Sequence, residues 1–421
     1  MTPFFALKAP LISQIIVAKK DVTSLLNSYK NYKPKSKTMQ AKSCKGKSIT
    51  ELKSALAKTI TADFTPTLAV VFSSVSQDLK GICDAMDAEG VAIFGCTTHG
   101  EFIDEETETG SWVMLLLDLN PQYFQIRLEE YPGKNYREVA HTMAKKVRVT
   151  FETPAFLIGV SHLETDGEEI LGGFQEVFGQ EVNLFGGLAG DDLVLRETFV
   201  FTNGKISNCG MVCLALDESK VEVQGIATCG WKAIGTEKTV TKSEGNHIYT
   251  IEGMPVVDIT AKYGGLENVS PDNDGLFVEF TCNLPLQLQR EKGDPIMRSG
   301  MLVDWTDRSF YSNGSVPEGS KVRFSVPPDW DVMEKVVKGV EQLKNERMPE
   351  ADALVIFSCA ARIIALGPLM SEELEGVKNV WQVPMAGMFS SGELGRATGG
   401  NLELLNLTTC TVALKEKIQV K

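Results

Sequence analysis

The sequence predicts an α/β protein with mixed sheets flanked by helices, built from two related parts. Two observations carry that prediction. Apolar runs of strand length alternate with helix-length spans and stop at Gly-rich loops. Thus LAVVFSS (68–74) leads through a helical span to VAIFGCTTHGEF (91–102), and ALVIFSCAAR (353–362) leads through another to VPMAGMFSSGELG (383–395). The spacing within the loops is also shared, since Gly95, Gly100 and Glu101 recur as Gly387, Gly392 and Glu393. A shortened third version runs from FLIGVSH (156–162) to NLFGGLAGDD (183–192), with Asp191 in place of the glutamate. Duplication of one strand-helix-strand-Gly-loop unit accounts for the pattern. Sharp turns and close backbone approach explain the glycines. They do not explain the acids.

Composition bounds the function classes. A chain of 421 residues allows roughly two to four domains at ~100–200 residues each. Apolar and charged fractions of 43% and 23% are those of a globular protein, and no stretch reaches the ~18 apolar residues of a membrane helix. The net charge of −13 divides unevenly: residues 1–58 hold twelve Lys against Asp21 and Glu51, +10, so the remainder carries −23. An acidic body argues against nucleic-acid binding. Nine Cys without a CxxC pair read as reduced thiols in a cytoplasm. The first twenty residues lack an early basic region and are interrupted by Lys8, Ser13 and Gln14, so they read as no signal sequence.

In chain order, residues 1–47 are expected to be a basic, mobile tail, with Met39 as an alternative translation start; a first domain follows over 48–250 and a second over 251–421. AKSCKGKS (41–48) nearly matches a phosphate-binding loop but lacks its first glycine and a preceding apolar strand. Ser48 and Glu51 form a capping box opening a helix with Leu52, Ala55, Leu56 and Ile60 on one face. The runs 111–119 and 123–131 read as a hairpin across Pro121, and 136–149 as a helix. Asn203-Gly204 signals another hairpin, followed by antiparallel strands to about residue 241. Residues 254–263 are expected as a helix, 266–328 as short strands and turns, 329–343 as a helix, and 401–416 as one or two closing strands. A uniformly wound dinucleotide fold is not expected, because Gly186 and Gly187 lead into a strand-like run and do not open a helix.

These motifs resemble the FIST domain. GCTTHGEF is similar to its first part, LFGGLAGDD, FTNGK and GW followed by IG to its middle, and FSCAAR with AGMFSSGELG to its end, over about residues 48–415. His99, where a small residue is commoner, and Glu252-Gly253, where Asp-Gly is usual, depart from it. The resemblance implies a cytoplasmic sensor for a small ligand such as an amino acid, acting in signal transduction through a separate partner. Bacterial relatives include haem-based nitric oxide sensors that work with a histidine kinase; eukaryotic ones carry an F-box. Neither a kinase, a receiver nor an F-box is recognised in this sequence.

The candidate ligand-binding residues are Gly95, Thr97, Thr98, His99, Gly100, Glu101, Asp191, Arg362, Ser390, Ser391, Gly392 and Glu393. Glu101 and Glu393 suit a general acid or base, a grip on a ligand amine, or a cap on backbone amides. Arg362 suits bidentate pairing with a ligand carboxylate or a salt bridge to Glu393. Because ligands gather beyond the carboxyl ends of parallel strands, Arg362 and Glu393 are expected to face one crevice. Cys359 is either a thiolate activated by Arg362 or a buried apolar residue, and the second reading is preferred. Cys96, His99 and His247 are the candidates for haem ligation, against the plainer reading of His99 as a hydrogen-bonding residue; no metal is expected. The favoured function is a non-enzymatic ligand sensor. The alternatives are a haem sensor, a hydrolase or transferase using Glu101, Glu393 or Cys359, and a scaffold with a vestigial pocket.

Overall fold

The computed structural model describes residues 38–327 and 331–418. Its frame is three six-stranded mixed sheets of one shared order. At the centre of each lies a parallel pair: Leu68–Ser73 with Ala92–Thr97, Pro154–Val160 with Leu184–Leu188, and Ala353–Cys359 with Met385–Ser390. The first strand of each pair is flanked by an antiparallel strand, Trp112–Asp118, Gly210–Asp217 and Thr409–Glu416 respectively. Outside these run the edge strands Gln40–Gly46, Phe124–Glu130 and Val221–Thr228. The three Gly-loop stretches thus occupy equivalent strands, and the shortened stretch around Asp191 heads a complete unit.

The other edge of each sheet is a hairpin borrowed from another unit. Glu101–Ile103 follows the first parallel pair, yet it pairs with Met385–Ser390 of the third sheet. Val200–Thr202 follows the second pair and joins Ala92–Thr97 of the first sheet. Glu393–Arg396 follows the third pair and joins Leu184–Leu188 of the second. The exchange is cyclic, so each sheet is incomplete without its neighbour. Gly95 and Gly387 exist for this crossing: they lie opposite Phe201 and Phe102 of the incoming hairpins, and a Cβ at either would overlap the facing ring. Both glycines therefore make room for protein packing, and Gly95, expected to line a ligand site, faces the Phe201 ring instead.

Burial on both faces explains the continuous apolar strands, such as LAVVFS and ALVIFSC, all of whose residues are buried. Helices Ile49–Thr59, Leu79–Ala88, Tyr136–Arg148, Gly167–Phe178, Asp331–Glu346, Ala360–Leu366 and Met370–Trp381 cover the outer faces, and Phe72 and Phe357 meet edge to face at 5.7 Å between sheets one and three. Each such buried side chain contributes about 1.5–3 kcal/mol. Ser48 accepts from Glu51 N, while Glu51 reaches back to Lys47 N, one residue before the cap position of the expected box. The third unit carries an insert between Val221–Thr228 and Asp331–Glu346: an eight-stranded antiparallel sheet with helices Val256–Gly264 and Asp274–Asn283.

Several expectations need correction. Residues 40–46, assigned to the tail, form an edge strand paired along Trp112–Asp118, and Met39 is buried beside it. A half-exposed edge strand needs backbone partners and little apolar periodicity, and its lysines protect the edge, so its composition looks like a tail. The remainder of the tail assignment, residues 1–37, and the signal-sequence reading lie outside the described residues. The runs at 111–119 and 123–131 are strands but do not pair as a hairpin; they belong to different sheets, because the chain crosses between units at Pro121. The expected boundary at residue 250 falls inside strand His247–Ile251. Residues 274–283, read as strand and turn, are helical. Among the described residues no helix is long and apolar enough to cross a membrane.

Candidate functional site

The three Gly loops converge where the units meet. His99 N donates to Phe389 O and Phe389 N to Gly100 O; Gly190 N donates to Thr97 O and Asp192 N to Thr98 O; Leu188 N donates to Gly392 O and Ser391 N to Leu188 O, all at 2.9–3.0 Å. Each loop is thereby bonded to both others. The structure brings Thr97, Thr98, His99, Gly100, Glu101, Asp191, Ser390, Ser391, Gly392 and Glu393 to this junction, but their amides and hydroxyls largely satisfy one another. The ten residues form a packed joint.

The two glutamates have matching surroundings. Thr98 Oγ1 donates to Glu101 Oε1 at 2.6 Å and Ser111 Oγ to Glu101 Oε2 at 2.8 Å. Ser390 Oγ and Thr408 Oγ1 donate to the two carboxyl oxygens of Glu393, each at 2.7 Å. Burial pushes Glu101 up to about 7 and Glu393 to about 8, against the opposing pull of these hydroxyls. Asp191 differs, since its carboxylate accepts the amides of Leu195, Arg196 and Glu197.

His99 and Ser391 have the spacing of a catalytic pair but the wrong polarity. His99 Nε2 lies 2.7 Å from Ser391 Oγ, while Nδ1 accepts from Leu193 N at 3.0 Å and Asp191 N at 3.3 Å. Nδ1 is therefore unprotonated and Nε2–H donates to the serine, whose own hydroxyl donates to Ala189 O at 3.2 Å. A serine nucleophile needs the reverse tautomer. Burial lowers His99 to about 4, with Asp191 acting in the opposite sense. Cys359 is fully enclosed, and burial together with the Glu393 charge lifts its thiol well above the ordinary value, which makes it a poor nucleophile. Haem does not fit these residues: both His99 nitrogens are engaged, Cys96 is fully buried, and His247 bonds Ser309 Oγ at 2.6 Å between the rings of Tyr249 and Tyr311.

Arg362 is where sequence reasoning erred most. It is fully buried and pairs with Glu373, not Glu393; it also donates to Cys229 O and Leu407 O at 2.8 Å and lies over the Trp231 ring at 5.2 Å. Glu373 accepts in addition from Thr409 Oγ1. The partner sits on helix Met370–Trp381 beyond the Gly367-Pro368 break, so no regular spacing announced it.

Behind Glu393 lies a narrow cleft of about 20 Å³ between the insert and the third unit, lined by Trp231, Gln287, Asp294, Met297, Lys335 and Thr408 among others. Thr408 joins the cleft to the junction through its bond to Glu393. Trp231 Nε1 is buried without a hydrogen-bond partner, an uncommon and costly state for a donor. Lys335 Nζ and Asp294 Oδ2 are 3.9 Å apart, with side chains 52% and 41% exposed. Of these residues the sequence marked only Trp231, within its GW motif. A family model for the FIST N domain matches residues 67–254, and one for the FIST C domain matches residues 263–396. No curated protein matches the chain.

Proposed function

The chain belongs to the FIST family, signalling-associated small-ligand sensor domains, and from that premise we propose that its ligand occupies the cleft between the insert and the third unit. The observation that carries this reading is the buried, unpartnered Trp231 Nε1 on the wall of this narrow cleft, which the partly exposed Lys335 and Asp294 open to a ligand by moving aside. An amino-acid-like ligand fits the chemistry. Lys335 would take its carboxylate and Asp294 its ammonium in place of their loose mutual contact, with Gln287, Thr408 and Trp231 Nε1 supplying interior polar contacts. This moves the amino-acid grip from Arg362 and Glu393 to the cleft. Glu393 stands one hydrogen bond behind it, so occupancy at Thr408 is felt at the junction of the three loops. The protein then acts as a cytoplasmic, non-enzymatic sensor whose output passes through a partner.

Calorimetric titration of the full chain with each of the twenty amino acids tests the reading. At least one should bind, and Lys335→Ala should weaken it by ~1.5–3 kcal/mol, the scale of a charge-assisted hydrogen bond, without lowering the melting temperature. No binding by any of them, or unaltered affinity in both Lys335→Ala and Gln287→Ala, refutes it.

A further inference from the structure

The inner wall of the cleft restricts which hydrogen-bonding groups a ligand can bring to it. Thr408 Oγ1 donates to Glu393 Oε2 at 2.7 Å, and Thr408 N donates to the same oxygen at 3.4 Å. An oxygen that accepts from both is the carbonyl oxygen of the protonated acid. When Glu393 is protonated its proton therefore sits on Oε1, 2.7 Å from Ser390 Oγ, and Ser390 turns its own hydrogen to Ser358 O at 3.2 Å. When Glu393 is ionised, both of its oxygens accept. In either state the one hydroxyl hydrogen of Thr408 is committed to Glu393, so Thr408 can offer the cleft only a lone pair.

Trp231 has the opposite polarity. Its Nε1 can only donate, and it is buried without a partner. Gln287 is a second donor, because one Nε2 hydrogen goes to Trp231 O at 3.5 Å and Oε1 accepts from Gln289 Nε2 at 3.3 Å, which leaves its other Nε2 hydrogen for the cleft. Two donors beside one acceptor suit a neutral group that accepts at one atom and donates at another. An apolar side chain leaves Trp231 and Thr408 unpaired in a buried site. A carboxylate has no hydrogen for Thr408 and sets a second acid near Glu393, while the interior cation Arg362 is already matched by Glu373. A hydroxyl offers a single atom to partners on both sides of the cleft, Gln287 on the insert and Thr408 on the third unit. A carboxamide divides the two roles between its oxygen and its nitrogen, and it is small enough for a narrow cleft.

We propose that the ligand is an amino acid with a side-chain carboxamide, glutamine or asparagine, whose amide oxygen accepts from Trp231 Nε1 and Gln287 Nε2 and whose amide nitrogen donates to Thr408 Oγ1. This assignment rests on the reading of the cleft given above, with Lys335 and Asp294 holding the α-carboxylate and α-ammonium at its mouth. Glutamate and aspartate match the two amides in size, so polarity alone rejects them. Thr408 is the specificity-determining residue, and the Glu393 carboxyl behind it sets its polarity.

Calorimetric titration of the full chain with the twenty L-amino acids tests the assignment without any variant. The tightest binder should be glutamine or asparagine, by about tenfold or more over its acid counterpart and over methionine, serine and threonine. A different tightest binder, or a smaller ratio of amide to acid, overturns the assignment and leaves the cleft as the ligand site; no binding by any of the twenty removes both. In Thr408→Val the amide should lose about tenfold or more in affinity while its acid counterpart loses little, and Thr408→Ser should keep the wild-type ratio. An unchanged ratio in folded Thr408→Val also overturns the assignment, and the wild-type ratio decides the matter if that variant does not fold.

Discussion

At the scale of single residues, the buried acids and His99 pull stability in opposite directions with pH. Glu393 and Glu101 titrate higher in the folded chain than in the unfolded one, so their contribution is full below about pH 4.5 and is lost as pH rises toward about 7 for Glu101 and 8 for Glu393. His99 is lowered to about 4, and its contribution is lost as pH falls from 6.5 toward that value. The melting temperature should therefore fall between pH 7 and 8, where Glu393 dominates, and Glu393→Gln should flatten that fall; an unchanged slope would mean that Glu393 is not held protonated. Arg362 is fully buried against Glu373, and removal of one partner from such a pair leaves an uncompensated charge. Arg362→Ala and Glu373→Ala should each cost about 3–5 kcal/mol in chemical denaturation. A small loss in either would contradict the ion pair as the role of this arginine. The sequence marked Arg362 as important because an arginine past an apolar strand is unusual, but its partner, eleven residues on across a helix break, had no local signature.

At the scale of elements, the composition of a strand and its structural weight need not agree. Gln40–Gly46 is rich in lysine and lacks an apolar face, yet it completes the first sheet along the whole of Trp112–Asp118. In the other two sheets the same edge is occupied by a strand arriving from the preceding unit, so here the N-terminal segment fills a place that the topology requires. A chain beginning at Ser48 should lose several degrees of melting temperature relative to one beginning at residue 38, because seven backbone pairings and the buried Met39 go with it. Equal melting of the two chains would show the strand to be dispensable. The parallel pairs were readable from sequence, since strands buried on both faces must be continuously apolar, and so was the equivalence of the Gly loops. The helix Asp274–Asn283 was not, because phenylalanine and valine in its sequence favour a strand and only its packing against strand Gly300–Asp304 and helix Ala360–Leu366 decides otherwise.

For the molecule as a whole, the cyclic exchange of hairpins makes the three units one cooperative body, a relation that connects residues far apart in sequence and leaves no trace in local patterns. The candidate residues divided accordingly: sequence found the junction, because its glycines and acids recur, and missed the proposed cleft, because Gln287, Asp294, Lys335 and Thr408 meet only when the insert folds against the third unit. Gly387→Ala should drive Phe102 of another unit outward and cost about 1–3 kcal/mol while leaving a single unfolding transition. Two separated transitions would contradict the interlocked account. The claim that matters most is that a small ligand enters the cleft and meets Trp231. Fluorescence titration of the wild type and of Trp231→Phe with the twenty amino acids reads this directly. The account predicts a saturable change for at least one amino acid in the wild type that is absent in Trp231→Phe; a change that survives the substitution, or no saturable change with any of the twenty, would contradict it.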